Sequence, residues 1–167
     1  MFTTRAAILT RSVQPSTRLG FTRTFFNGWF KAWQTQKVIY PPKPQDFTTN
    51  NRIFEAYVQH ANELHDYLLF KEPLLLNFTY ADPKSNKVTQ ALFDVLSNRD
   101  KYPTETAVNL VNIMADTEGG RELMLDYGVG KIPSVVLLRK QIPVDRLVVD
   151  VDRFSEQDVI EWLRSIR

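Results

Sequence analysis

The chain has 167 residues, of which 43% are apolar and 24% charged, the make-up of one ordinary globular domain with some length to spare. Apolar runs such as Leu74–Leu76 fall far short of the roughly 18–20 residues a membrane-spanning helix needs. There is no cysteine, which excludes disulfides, thiolate metal sites, iron–sulfur ligation and every cysteine nucleophile.

The net charge of +2 conceals an asymmetry. Residues 1–45 carry Arg5, Arg11, Arg18, Arg23, Lys31, Lys37 and Lys43 and no acid, whereas residues 46–167 hold 14 bases against 19 acids. Residues 1–25 are rich in Arg, Ser and Thr, with apolar residues interspersed, the composition of a mitochondrial transit peptide. The alternative is a basic tail for nucleic acid or anionic lipid, but the arginines are spaced rather than clustered. The segment has no uninterrupted apolar stretch of the kind a secretory signal requires.

Phe25, Phe26, Trp29, Phe30 and Trp33 fall on one face at helical spacing. Such an aromatic arm suits a partner groove or a membrane interface, or packs back on its own domain. Residues 26–47 are thus expected to be an arm followed by a stiff linker, Pro41-Pro42-Lys43-Pro44, with the domain spanning 48–167.

Within the domain, Ile53, Phe54, Tyr57, Val58, Ala61, Leu64 and Leu68 predict a helix over 52–70. Leu74–Thr79 reads as a buried strand. A turn over 81–86 leads into a helix at about 86–98. Residues 107–113 form a second strand. Thr117 caps a helix that stops at Gly128. Residues 134–139 and 146–151 form two strands joined by a short link containing Pro143. Ser155-x-x-Asp158 is a capping-box variant that opens the last helix. The resulting architecture is α/β: a central mixed four-stranded sheet with helices on both faces, a three-layer sandwich.

This order, together with four local stretches, resembles the thioredoxin superfamily over roughly residues 50–167. Pro73–Phe78 is similar to the strand leading to the family's active site, and Val108–Asp116 to its third strand. Tyr127-Gly128-Val129-Gly130-Lys131-Ile132-Pro133-Ser134 is similar to its Tyr-Gly-Val/Ile-x-x-Ile/Val-Pro-Thr segment, and Phe154–Leu163 to its last helix. The resemblance implies a cis peptide bond before Pro133, a form that only about 5–6% of X–Pro bonds adopt in folded proteins. It also implies that the family's Cys-x-x-Cys falls on Pro83-Lys84-Ser85-Asn86 and its buried acid on Asn77. With both thiols and the acid gone, thiol–disulfide chemistry is excluded, and Ser85 is a poor nucleophile without an adjacent base.

The expected protein is therefore a non-catalytic member of that fold, without a cofactor. It is expected in the mitochondrial matrix or on the matrix face of the inner membrane, as a structural or assembly subunit of a larger complex. The expected binding surface for a protein or extended peptide is Tyr80, Pro83, Ser85, Asn86, Lys131, Ile132 and Pro133, with strand addition as its mode. The aromatic arm would add a second contact with protein or membrane. A chaperone-like peptide-binding module is the alternative. A glutathione-binding transferase using Tyr80 or Ser85 is a weaker one, since the helical second domain such enzymes carry is missing. His60 and His65 lack the partners a metal needs. Gly119-Gly120 is too short for a phosphate cradle. The acidic balance of the domain opposes nucleic acid.

Overall fold

A computed structural model describes residues 37–166. The transit-peptide reading of residues 1–25 and the arm residues Phe25, Phe26, Trp29, Phe30 and Trp33 lie outside the described residues. In chain order the elements are β1 (Arg52–Val58), β2 (Leu74–Thr79), α1 (Pro83–Ser97), β3 (Asn109–Met114), α2 (Glu118–Asp126), β4 (Ser134–Arg139), β5 (Ile142–Val148) and α3 (Glu156–Ser165). Single 3-10 turns lie at Pro44–Asp46, Ala61–Leu64 and Tyr67–Leu69.

The sheet has five strands in the order β1-β3-β2-β4-β5, one more than the sequence predicts. β3 pairs parallel with both β1 and β2, while β2–β4 and β4–β5 are antiparallel. Alternation along the central strands sorts the core into two layers. Leu75, Leu110, Val135 and Leu137 pack on one face with α1 and α3. Leu74, Leu76, Phe78, Val111, Ile113, Val136 and Leu138 pack on the other with Leu123 of α2 and Leu64 of a 3-10 turn. All six residues of β2 and all six of β3 are buried, as strands covered on both faces must be.

The extra strand is the first half of the helix expected over 52–70. Ile53 pairs with Leu110 and Tyr57 with Asn112, so four steps along β1 span two along β3. This bulge breaks the two-residue alternation and leaves apolar residues at 53, 54, 57 and 58, spacing that imitates a helix. The second half is two 3-10 turns, with His60 and His65 flanking the first of them, both exposed. The other boundaries shift for local reasons. α1 starts at Pro83 because Asp82 is its cap and proline suits the first helical position. The β4–β5 turn is Lys140-Gln141, both with positive φ (50° and 69°), so Pro143 lies inside the edge strand β5 rather than in the link. β5 accordingly spans Ile142–Val148, not 146–151. Its Ile142, Val144 and Val148 are exposed.

Three predicted helix signals hold. Thr117 Oγ1 accepts the Gly120 N–H at 3.0 Å. Gly128, at φ +63°, ends α2, and Arg146 donates to the Gly128 and Tyr127 carbonyls at 2.6 and 3.0 Å. Ser155 and Asp158 form the reciprocal capping box of α3.

Before β1 the chain runs from Lys37 along the domain. Ile39 and Phe47 pack on the α1/α3 layer. The Tyr57 hydroxyl donates to the Ile39 carbonyl at 2.6 Å, and the Tyr40 ring meets Tyr57 edge-on. Burial, and secondarily the nearby Tyr40, push the Tyr57 phenol above its ordinary range, so it remains a donor. At the far end Asn51 donates to Leu96 O and accepts the Val108 N–H, both at 2.9 Å, stapling the start of β1 to α1 and β3.

The glycine pair at the start of α2 has a packing role. A Cβ on Gly120 would sit 1.9 Å from Met114 O, and one on Gly119 would sit 2.5 Å from Gln59 O. Gly120→Ala is therefore expected to cost about 3 kcal/mol, since the clash is with backbone that cannot step aside. Urea denaturation checks this, with Gly130→Ala as the mild control because nothing lies within 4 Å of its added methyl.

Candidate functional site

The expected surface forms where β2 ends and β4 begins. Phe78 and Ser134 are register partners, so the turn leaving β2 through Tyr80 lies beside the loop Lys131–Pro133 that enters β4. The Ile132–Pro133 bond is cis, as the resemblance implies. β3 ends alongside, and Tyr80, Ala81, Asp82 and Asp116 line a shallow open depression there.

Asp82 organises the turn. Its carboxylate accepts the Lys84 and Ser85 N–H groups at 2.9 and 3.0 Å, and Ser85 Oγ donates to its second oxygen at 2.9 Å. A carboxylate at a helix N-terminus also complements the dipole. Pro83 follows, exposed, as the first helical residue. One turn on, Asn86 donates from its side chain to the Lys37 carbonyl at 2.7 Å, tying the start of the described chain to the first turn of α1.

The seven predicted residues thus divide into two groups. Tyr80, Pro83 and Lys131 are exposed and Ile132 is half-buried beside them, making an outward surface. Ser85 and Pro133 are buried, and Asn86 is half-buried and engaged by its own chain. Ser85 is 2% exposed with its hydroxyl committed to Asp82, so it does not present itself to a substrate. The loop's own polar atoms are partly used. Ser134 Oγ donates to Lys131 O at 2.6 Å, and the Val149 N–H donates to Pro133 O at 3.4 Å. Among the described residues no group of three His, Cys, Asp or Glu side chains could hold a metal.

Beneath this surface is a wholly buried amide cluster. Asn77 Nδ2 donates at 2.9 Å to both Thr89 Oγ1 of α1 and Asn112 Oδ1 of β3, and Thr89 and Thr79 share a hydroxyl contact at 3.2 Å. Asn77 Oδ1 and Asn112 Nδ2 have no partner among the described residues, although both side chains are fully buried. The position expected to correspond to a buried acid is therefore a neutral, hydrogen-bonded amide.

Asp82 is the cap that its place at a helix start in the sequence suggests, over an acid–base role. Sequence reasoning missed Asn86 as a tether. Nothing local marks it, because its partner is 49 residues away.

No family model matches the sequence, and no curated protein matches it. Among solved structures the chain is similar to a mutant thioredoxin from Halobacterium salinarum NRC-1, with 18% identity, 71% of this chain and 93% of that one covered, and a TM-score of 0.52. It is similar to the germline-specific thioredoxin Deadhead from Drosophila melanogaster, with 19% identity, 67% and 99% covered, and a TM-score of 0.51. It is also similar to thioredoxin from Trypanosoma brucei brucei, with 14% identity, 66% and 88% covered, and a TM-score of 0.50. At these identities the likeness shows the fold, which is thioredoxin-like, with a five-stranded mixed sheet between helices.

Replacing Asn77 tests the amide cluster. Asn77→Ala strands Asn112 Oδ1 and leaves a cavity, and is expected to cost about 2–3 kcal/mol in urea unfolding. Asn77→Asp places a carboxyl in a dry site, where burial raises its folded-state pKa above the unfolded value near 3.9. Its destabilisation should be small at pH 4 and grow as the pH rises through the folded-state pKa. A pH-independent effect would contradict the burial.

Proposed function

We propose that this chain is a non-catalytic thioredoxin-fold protein of mitochondria that serves as a structural or assembly subunit of a larger complex. Its partner contact is the surface of Tyr80, Pro83, Lys131 and Ile132 beside cis Pro133. The observation that carries the reading is the condition of positions 83–86. Thiol exchange needs a thiolate at the head of α1. In its place stand a proline, a buried serine closed onto Asp82, and an asparagine holding the chain's own Lys37 carbonyl.

The same region retains features that suit recognition. The loop before β4 and the turn after β2 open to solvent together, and Tyr80 and Ile132 offer apolar surface between Lys131 and the acids Asp82 and Asp116. Such a mixed rim around an apolar centre is how protein contacts are commonly built. The mitochondrial setting is supported by the acid-free, arginine-bearing head of residues 1–25.

The test is the native size of the tagged chain in gently solubilised mitochondria, with mass spectrometry of co-purifying proteins. A discrete large assembly of fixed composition is expected. Ile132→Arg, with unchanged far-UV circular dichroism, should shift the chain at least tenfold toward the free form. Migration as a monomer with a changing set of clients would sink the subunit reading in favour of a chaperone-like one. Retention on glutathione resin, lost on Tyr80→Phe, would sink it in favour of a transferase.

A further inference from the structure

Residues 37–47, which the sequence assigns to a linker, lie docked on the domain as a strap that runs the length of α1. Asn86, in the first turn of α1, holds the Lys37 carbonyl. The carbonyl of Ser97, the last residue of α1, accepts the Thr48 N–H at 2.9 Å. Between these points the strap passes along the edge strand β1, where the Tyr57 hydroxyl donates to Ile39 O. Ile39 and Phe47 pack on the α1/α3 layer, and Pro41 and Pro42 are half-buried.

The way the strap is held distinguishes it from a strand of the fold. Among the described residues no backbone–backbone hydrogen bond joins 37–42 to the domain. Pro41, Pro42 and Pro44 have no N–H to give. Lys43, at φ −65° and ψ 145°, has polyproline geometry. Side chains read the carbonyls instead, an amide at Lys37 and a phenol at Ile39. The Tyr40 ring stands edge-on to Tyr57 at 6.3 Å. Extended proline-rich ligands dock in aromatic-lined grooves in this way, because their preformed backbone needs little ordering. Tyr40 remains 68% exposed, and the Asn86 bond lies at the surface. On release each such bond is exchanged for one with water. The strap is thus bound as a ligand is bound, by contacts that open locally without parting the sheet.

We infer that the flank of β1 and α1 is a docking groove for an extended, proline-bearing segment of a partner protein, occupied in cis by this chain's own residues 38–44. The occupant sets the class: a β-branched apolar residue, an aromatic one, then two prolines. Because the strap is tethered, its effective concentration at the groove is on the order of millimolar. A partner docks only as the strap yields, so its apparent affinity is reduced by the fraction of time the groove is open. This surface is separate from the one at Ile132, and its test uses the purified chain alone.

The probe is a fluorescein-labelled peptide of residues 38–47, followed by anisotropy against the full chain. Ile39→Asp puts a charge where the strap packs on the α1/α3 layer and should expel it while leaving the groove intact. With native far-UV circular dichroism, that chain should bind the peptide at least tenfold more tightly than the wild type. Adding Tyr57→Phe should weaken binding at least threefold. Placing Pro41→Ala and Pro42→Ala in the peptide should do the same. Asn86→Ala gives a second reading should Ile39→Asp fail to fold. It loosens the strap at Lys37, a residue the peptide lacks, and should tighten binding at least threefold over the wild type. No binding by a folded Ile39→Asp chain would overturn the inference and make the strap a fixed part of the core. Binding indifferent to the two prolines would also overturn it. So would a concentration-dependent dimer that excludes the peptide, which would place a second copy's strap in the groove.

Discussion

One carboxylate, that of Asp82, sets the character of the site end. Three donors converge on it, two from the backbone of α1 and one from the Ser85 hydroxyl. Satisfying orphan N–H groups is the ordinary work of a helix cap. Here the cap also decides the chemistry. It starts the helix at Pro83 and draws Ser85 inward. With the helix placed, Asn86 faces the passing chain and takes the Lys37 carbonyl. Of the two positions where the resemblance would put thiols, 86 is engaged by the chain's own Lys37 and 83 is an exposed proline. What remains outward is the surface of Tyr80, Pro83, Lys131 and Ile132.

How much of this could be read from sequence depended on whether a signal was local. β2, β3 and β4 are short apolar runs between breakers. α2 and α3 carry their caps within three residues of their starts. The loop around Pro133 was legible only through its resemblance to a known segment, since nothing in composition implies its peptide geometry. β1 was misread because a bulge spaces its apolar residues like those of a helix, and the partner that makes it a strand, β3, lies 55 to 57 residues on. The β4–β5 turn was misplaced because Lys140 and Gln141 adopt positive φ without the glycine or asparagine that would announce it.

The candidate site was legible as a set of neighbours and not in its exposure. Tyr80 and Lys131 are exposed and Ile132 is half-buried, whereas Ser85 and Pro133 are buried and Asn86 is half-buried and tied to Lys37. Long-range ties explain the difference. The Asn86–Lys37 and Tyr57–Ile39 hydrogen bonds join segments that no periodicity connects. The Asn77, Thr89 and Asn112 cluster joins three elements through side chains that read singly as ordinary polar residues. Buried polar groups of this kind bring specificity at some expense of stability.

The two rims of the sheet differ from its interior in a way that bears on crowding. A sheet edge is a template for another chain, and an apolar one invites stacking. β5 displays Ile142, Val144 and Val148, yet Pro143 deletes an amide donor from the same strand and its register with β4 slips next to that proline. β1 is interrupted by its own bulge. Neither rim offers a long, regular backbone ladder. The missing donor in β5 and the bulge in β1 each weaken a rim as a template on which another copy could add a strand.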